Sequence, residues 1–139
     1  MKWTREFNTY LLRIDIDENI NKIFEFFFVE TSISSGVVSA IGAVKNTTLG
    51  YFDGDKKEYQ KQLFEEEMEL ISFNGNLSKV DGKTFMHAHA VLSGSDYIAR
   101  AGHFFDGTVA VTMEVTITSN EIDVKRTFDE TTQLKLLSF

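Results

Sequence analysis

The sequence predicts a single α+β domain: a largely antiparallel sheet of seven or more strands with one main helix near the N-terminus. Three observations predict it. One stretch carries apolar residues at helical spacing, most of the remaining chain alternates apolar and polar residues in short runs, and Gly-containing turns separate those runs at hairpin distances. The chain has 139 residues, 42% of them hydrophobic and 13 of them Phe, which is material for one core. No repeat, low-complexity tract or Pro marks a boundary, so 1–139 is read as one domain.

Tyr10, Leu12, Ile14 and Ile16 share one side of a strand by their period of two. Asp17 offers a carboxylate to cap a helix, and Ile20, Ile23, Phe24, Phe27 and Phe28 form one apolar helical face running to about Glu30. Gly36 to Val44, small and β-branched, suits a strand packed closely by neighbours. Thr47 to Phe52 and Glu58 to Phe64 flank the turn Asp53-Gly54-Asp55. Met68 to Asn76 leads to the turn Asp81-Gly82, and Phe85 to Leu92 leads to Ser93-Gly94-Ser95-Asp96 and then Tyr97 to Phe104. Val109, Val111, Met113, Val115 and Ile117 alternate through the clearest strand of all. The tail, with Leu134, Leu136, Leu137 and Phe139, is too apolar to float free. Gly42, Gly50, Gly75 and Gly102 fall inside strand patterns, where Gly marks bulges or close backbone approach.

Composition narrows the function. There is no Cys, which excludes disulfides and thiolate metal sites and fits a reducing cytoplasm. Lys2 and Arg5 precede no apolar run of a secretory signal, and Phe26 to Val29 is far short of the roughly 20 residues of a membrane span. A cytoplasmic location with no membrane partner is expected. Net charge is −7, and basic residues are adjacent only at Lys56-Lys57 and Lys125-Arg126. That composition argues against DNA binding, which draws its non-specific affinity from basic patches. No phosphate-binding Gly loop, Ser/His/Asp motif or dinucleotide fingerprint is present.

His87 and His89 are two apart in Phe85-Met86-His87-Ala88-His89-Ala90-Val91, so a strand points both to one face. His103 lies on the next expected strand, where antiparallel pairing brings it opposite them. Two histidines from one strand and one from its neighbour can hold a divalent metal and leave a fourth position open. The same spacing also suits ordinary strand histidines, facing solvent or hydrogen-bonded in the core.

The chain resembles the plants-and-prokaryotes conserved (PPC) domain. The resemblance rests on Ser39-Ala40-Ile41-Gly42-Ala43-Val44 with Thr48-Leu49-Gly50-Tyr51-Phe52, on Glu69-Leu70-Ile71-Ser72-Phe73-Asn74-Gly75-Asn76, and on His87-Ala88-His89-Ala90-Val91-Leu92. Gly102-His103-Phe104 and Gly107-Thr108-Val109-Ala110 complete it. The resemblance implies a compact subunit that associates as a homotrimer. It also implies a bound metal, usually taken as zinc, at His87, His89 and His103. The position before Gly102, often Gly in the family, is Ala101 here, where a β-carbon would either crowd the strand or fill space. The family's DNA-binding label leans on plant members with AT-hooks; that motif needs an Arg-Gly-Arg-Pro core, which a chain without Pro lacks.

The leading expectation is a metal-binding trimeric module in regulation or complex assembly, with possible protein partners. The alternatives are a metal-dependent hydrolase or lyase and a small-molecule sensor using the same three histidines. The enzyme reading would call on Glu69, at the end of the acidic run Glu65-Glu66-Glu67-Met68-Glu69, as general base, and on Arg100 to bind an anion beside the metal.

Overall fold

The chain, described over residues 1–139 in a computed structural model, opens with a hairpin of β1 (Lys2–Glu6) and β2 (Thr9–Asp15). Alternation in β2 buries Tyr10, Leu12 and Ile14 against the core. Ile16, expected on the same side, is instead 58% exposed, because the strand ends at Asp15 and the backbone turns. Asp17 adopts a left-handed conformation (φ 64°), donates its backbone N–H to Val109 and pairs its carboxylate with Lys45. It therefore does not cap the helix. Asn19 does, its Oδ1 accepting from the Lys22 N–H at 3.0 Å.

Helix α1 (Ile20–Thr31) is the only helix, and its buried face is Ile20, Phe24, Phe27 and Phe28. Strands β3 (Gly36–Asp53), β4 (Glu58–Phe64), β5 (Met68–Val80), β6 (Lys83–Ser93), β7 (Ala99–Ser119), β8 (Lys125–Asp129) and β9 (Leu134–Ser138) follow. All pairings are antiparallel except one β5–β8 bridge at Lys79 and Lys125. The architecture is the expected α+β fold. Two pairs of expected strands are each one long, bent strand: 36–44 with 47–52 in β3, and 97–104 with 109–117 in β7. Their mutual register shifts between Gly42 and Val44 and again between Lys45 and Thr48, and such irregularities bend a ladder without ending it.

Those bends let β3 pair with both β5 and β7, while β6 also pairs with both β5 and β7. Four strands thus close a circuit around one face of packed side chains. Gly42 is required there: a Cβ would collide with the Thr112 carbonyl oxygen. Twenty-four buried residues form one core, in which the Phe24 ring stacks on both Phe28 and Phe73 at centroid distances of 5.6 and 6.1 Å.

Phe73 is fully buried, stacked on Phe24 on one side and met edge-on by Phe104. Phe73→Ala is expected to destabilise the protein by about 3–5 kcal/mol, from lost transfer energy and the cavity left behind. Urea unfolding of the two proteins at equal slope measures it.

Candidate metal centre

The alternation His-Ala-His-Ala fixes the site. Ala88, Ala90 and Leu92 fill the core from β6, which turns His87 and His89 to the opposite face of the strand. On β7, burial of Phe104 turns His103 the same way. The register sets His89 directly across from His103, and Ala90 across from Gly102. Gly102 matters to this approach, since a Cβ there would come within 2.8 Å of the Gly50 carbonyl oxygen on β3. Ala101 is exposed, so its methyl group takes open space and crowds nothing.

The three imidazoles meet. Ring centroids lie 4.9 to 5.4 Å apart, and one nitrogen from each ring falls within 4.8 Å of the others. A tetrahedral ion with nitrogens at about 2.0–2.1 Å wants them about 3.3 Å apart, so small ring rotations complete the set. The Nδ1 of His103 is buried and has no hydrogen-bond partner. A buried, unpartnered ring nitrogen on a member of a histidine cluster is the feature a metal would satisfy.

Two hairpins wall the cluster. From β4, the Tyr59 ring lies 4.9 Å from that of His103, and Phe105 meets the same imidazole edge-on at 4.7 Å. Lys61 holds its ammonium 4.0 Å over the Phe105 ring. From β8, Arg126 spans the other side. Its Nη2 lies 2.9 Å from Asn76 Oδ1 and 3.1 Å from His87 Nδ1, its Nε donates to Ser78 Oγ, and its Nη1 donates to the Lys135 carbonyl. A guanidinium can only donate, so His87 accepts at Nδ1 and carries its own hydrogen on Nε2.

Burial pulls the pKa of His103 down to about 4, helped by the charges of His87, His89, Arg126 and Lys61. Burial also lowers that of His87, with Arg126 and His89 adding to the effect. Both rings are thereby kept neutral, the form a metal needs.

The Plants and Prokaryotes Conserved domain (abbreviated PCC or PPC) matches residues 1–121. The chain belongs to this family. Solved relatives agree along its whole length. A metal-containing protein from Archaeoglobus fulgidus is 35% identical, with 100% of each chain covered and a TM-score of 0.88. A PPC protein from Pyrococcus horikoshii is 30% identical over 99% of this chain and 94% of its own, with a TM-score of 0.87. A "putative dna binding protein" from Bacteroides thetaiotaomicron is 28% identical over 99% and 96%, with a TM-score of 0.95. No curated protein matches the sequence.

In this PPC domain the two remaining candidates stand apart from the histidines. Glu69 pairs with Ser93, four residues beyond His89 along β6, or about 13 Å of strand. Arg100 is three residues from His103, about 10 Å along β7, and its guanidinium grips Asp96 at 2.6 and 3.1 Å. Neither reaches the cluster. Tyr59, Asn76 and Arg126 do, and sequence reasoning did not find them. Asn76 stands across from His87 in the β5–β6 register, a signal that strand pairing alone could have supplied.

The depressed His103 predicts a pH signature in the metal-free protein. Unfolded histidine titrates near 6.5, so between about pH 6.5 and about 4 the unfolded chain binds a proton that the folded chain refuses. The His103 contribution should be constant above about pH 6.5 and should turn against folding as pH drops toward 4. Denaturant melts of wild type and His103→Gln at pH 7.5, 5.5 and 4.5 should show wild type losing ground to the variant across that window. A constant difference would mean that His103 titrates as a free side chain.

Proposed function

We propose that this PPC domain is a divalent-metal-binding module, working as a homotrimer in regulation or complex assembly, with zinc held by His87, His89 and His103. The observation that carries the reading is the unpartnered, buried Nδ1 of His103 inside a converged three-histidine set. The 35%-identical A. fulgidus relative, named a metal-containing protein, supports it. A zinc ion on three imidazoles would supply a Lewis acid with one further position for a ligand. Asn76 and Ser78 hold the Arg126 guanidinium beside this set, where it would add a fixed positive charge next to the ion.

A hydrolytic reading needs a general base within hydrogen-bond reach of the reacting water. Glu69, the carboxylate singled out for that role, is held at the far end of β6, which favours a ligand-binding role over hydrolysis. Specific DNA binding is not part of the proposal, since the chain carries a net charge of −7.

Self-association is supported by the outward face of the sheet. Ile41, Ile71 and Val111 are more than half exposed, and they line one hollow of about 450 Å³ across β3, β5 and β7. An apolar patch of this kind marks a contact surface. Ile41→Asp should convert the trimer to monomers in light scattering at micromolar concentration; a monomeric wild type would overturn the trimer.

Elemental analysis of protein purified without an affinity tag should give one zinc per chain. His89→Ala and His103→Ala should each lose it, because two nitrogens hold zinc far less well than three. Retention of a full equivalent by both variants at wild-type affinity would show that these histidines are not the ligands. Stripping the metal should leave far-UV circular dichroism unchanged, because the core fills the other face of β6.

A further inference from the structure

Resting on the metal reading above, we infer that the loaded centre takes a small organic carboxylate, its oxygens shared between the ion and Arg126 and its apolar body in the slot where β6 and β7 separate. Three features of the site lead there.

The first is charge. Three neutral imidazoles bring no negative charge to a dication. Arg126 is tied to Asn76, Ser78, the Lys135 carbonyl and His87, all of them neutral. Lys61 adds a second fixed cation against Phe105. No carboxylate of the chain hydrogen-bonds any of the three histidines or Arg126. A loaded centre would therefore hold a dication and a guanidinium side by side with no anion of the same chain between them, a charge pattern that an anionic ligand would complete.

The second is hydrogen-bond accounting. The two Nη2 hydrogens of Arg126 are engaged by Asn76 and His87. Metal binding at His87 removes the second acceptor whichever ring nitrogen is used. Coordination through Nδ1 consumes the lone pair that Arg126 now uses. Coordination through Nε2 moves the ring hydrogen to Nδ1, which then faces the guanidinium donor to donor. In either case an Arg126 N–H is freed beside the ion. An anionic oxygen both accepts that hydrogen and fills the open position on the metal.

The third is the space available. Below the His89–His103 pair the two strands diverge, leaving a cavity of about 290 Å³ with His103 on its wall. Its apolar lining includes Phe28, Phe85, Met86 and Phe105. The volume is at the small end of the range for small-molecule sites, about 300–1,000 Å³. The Phe85 ring also carries the Arg126 guanidinium, 5.6 Å from its centroid. The cavity thus borders both the histidine cluster and the arginine. One freed donor plus one metal position suits a monoanionic carboxylate better than a phosphate, which would bring more charge and more acceptors into a largely apolar slot.

The probe is benzoate, titrated calorimetrically into zinc-loaded and zinc-free wild type, with acetate and inorganic phosphate as comparisons. Zinc content is measured on every sample. Benzoate should bind the zinc-loaded protein at least about tenfold tighter than the zinc-free protein and tighter than acetate or phosphate. Arg126→Gln, with zinc retained, should weaken benzoate by about tenfold or more. Because Arg126 also pins the hairpin, a second variant leaves it untouched. Glu25→Trp, at the exposed mouth of the cavity, should abolish the preference for benzoate over acetate while leaving acetate binding unchanged. In cobalt-substituted protein, benzoate should shift the visible bands of the metal. Phosphate binding tighter than benzoate, or wild-type benzoate affinity in both variants, would overturn the inference. A wild type that binds no zinc would instead overturn the metal reading itself, and the zinc measurement separates the two failures.

Discussion

The site depends on one pairing, β6 against β7, and on the parity it imposes. Between bulges a strand alternates its side chains, so the residues committed to the core decide where their neighbours point. Ala88, Ala90 and Leu92 are committed on β6, and Phe104 on β7. A slip of one residue in either strand would drive imidazoles into the core and alanines outward. Burying two unpartnered histidines is costly enough that the register is enforced by packing, not by any metal. The geometry of the cluster is therefore prepaid by the fold.

The same pairing explains why His87 and His103 are held neutral. His103 pairs with Gly50 on β3, whose hairpin partner β4 sets Tyr59 on one side of the ring, while β8 sets Arg126 on the other. Each wall contributes differently. Aromatic rings remove water, which disfavours a charged imidazole, and the cations Lys61 and Arg126 disfavour it further. Hairpin β8–β9 lies beyond the residues that match the family and joins the main sheet through a single bridge, yet it delivers the side chain that touches His87. Its outer surface leaves Phe128, Leu136 and Leu137 at least 40% exposed, a loose seat for a segment so close to the centre.

Much of this was legible in the sequence, and the parts that were not share a cause. The helix and the buried strands announce themselves because a face packed on the core must be apolar at a fixed period. His87, His89 and His103 were legible for the same reason, the alanines between and beside them marking the core side. Lys2–Glu6 and Lys125–Asp129 gave no such signal, since strands with little buried on either face carry no alternation to read. The joins within β3 and β7 were missed because bulges at Gly42 and around Lys45 to Thr48 break the period while hydrogen bonding continues. Arg126 was visible only as half of a basic pair. Its role depends on a contact 39 residues away in sequence, and no local pattern encodes that.

The charge distribution bears on what such a centre can admit. The chain as a whole repels anions, with 21 acidic against 14 basic residues, while the centre gathers Lys61 and Arg126 around the histidine cluster. Exposed charges are screened beyond about 8 Å at physiological ionic strength, so a small anion already in the cleft feels mainly its near neighbours. A long polyanion must also lie along the surface outside the cleft and meet the acidic residues there. The two scales select in opposite directions: a monoanion the size of the cavity is attracted, and a nucleic-acid duplex gains nothing from the same two cations. On the proposed reading, a basic island inside an acidic molecule would act as a size filter, admitting small anions in preference to DNA.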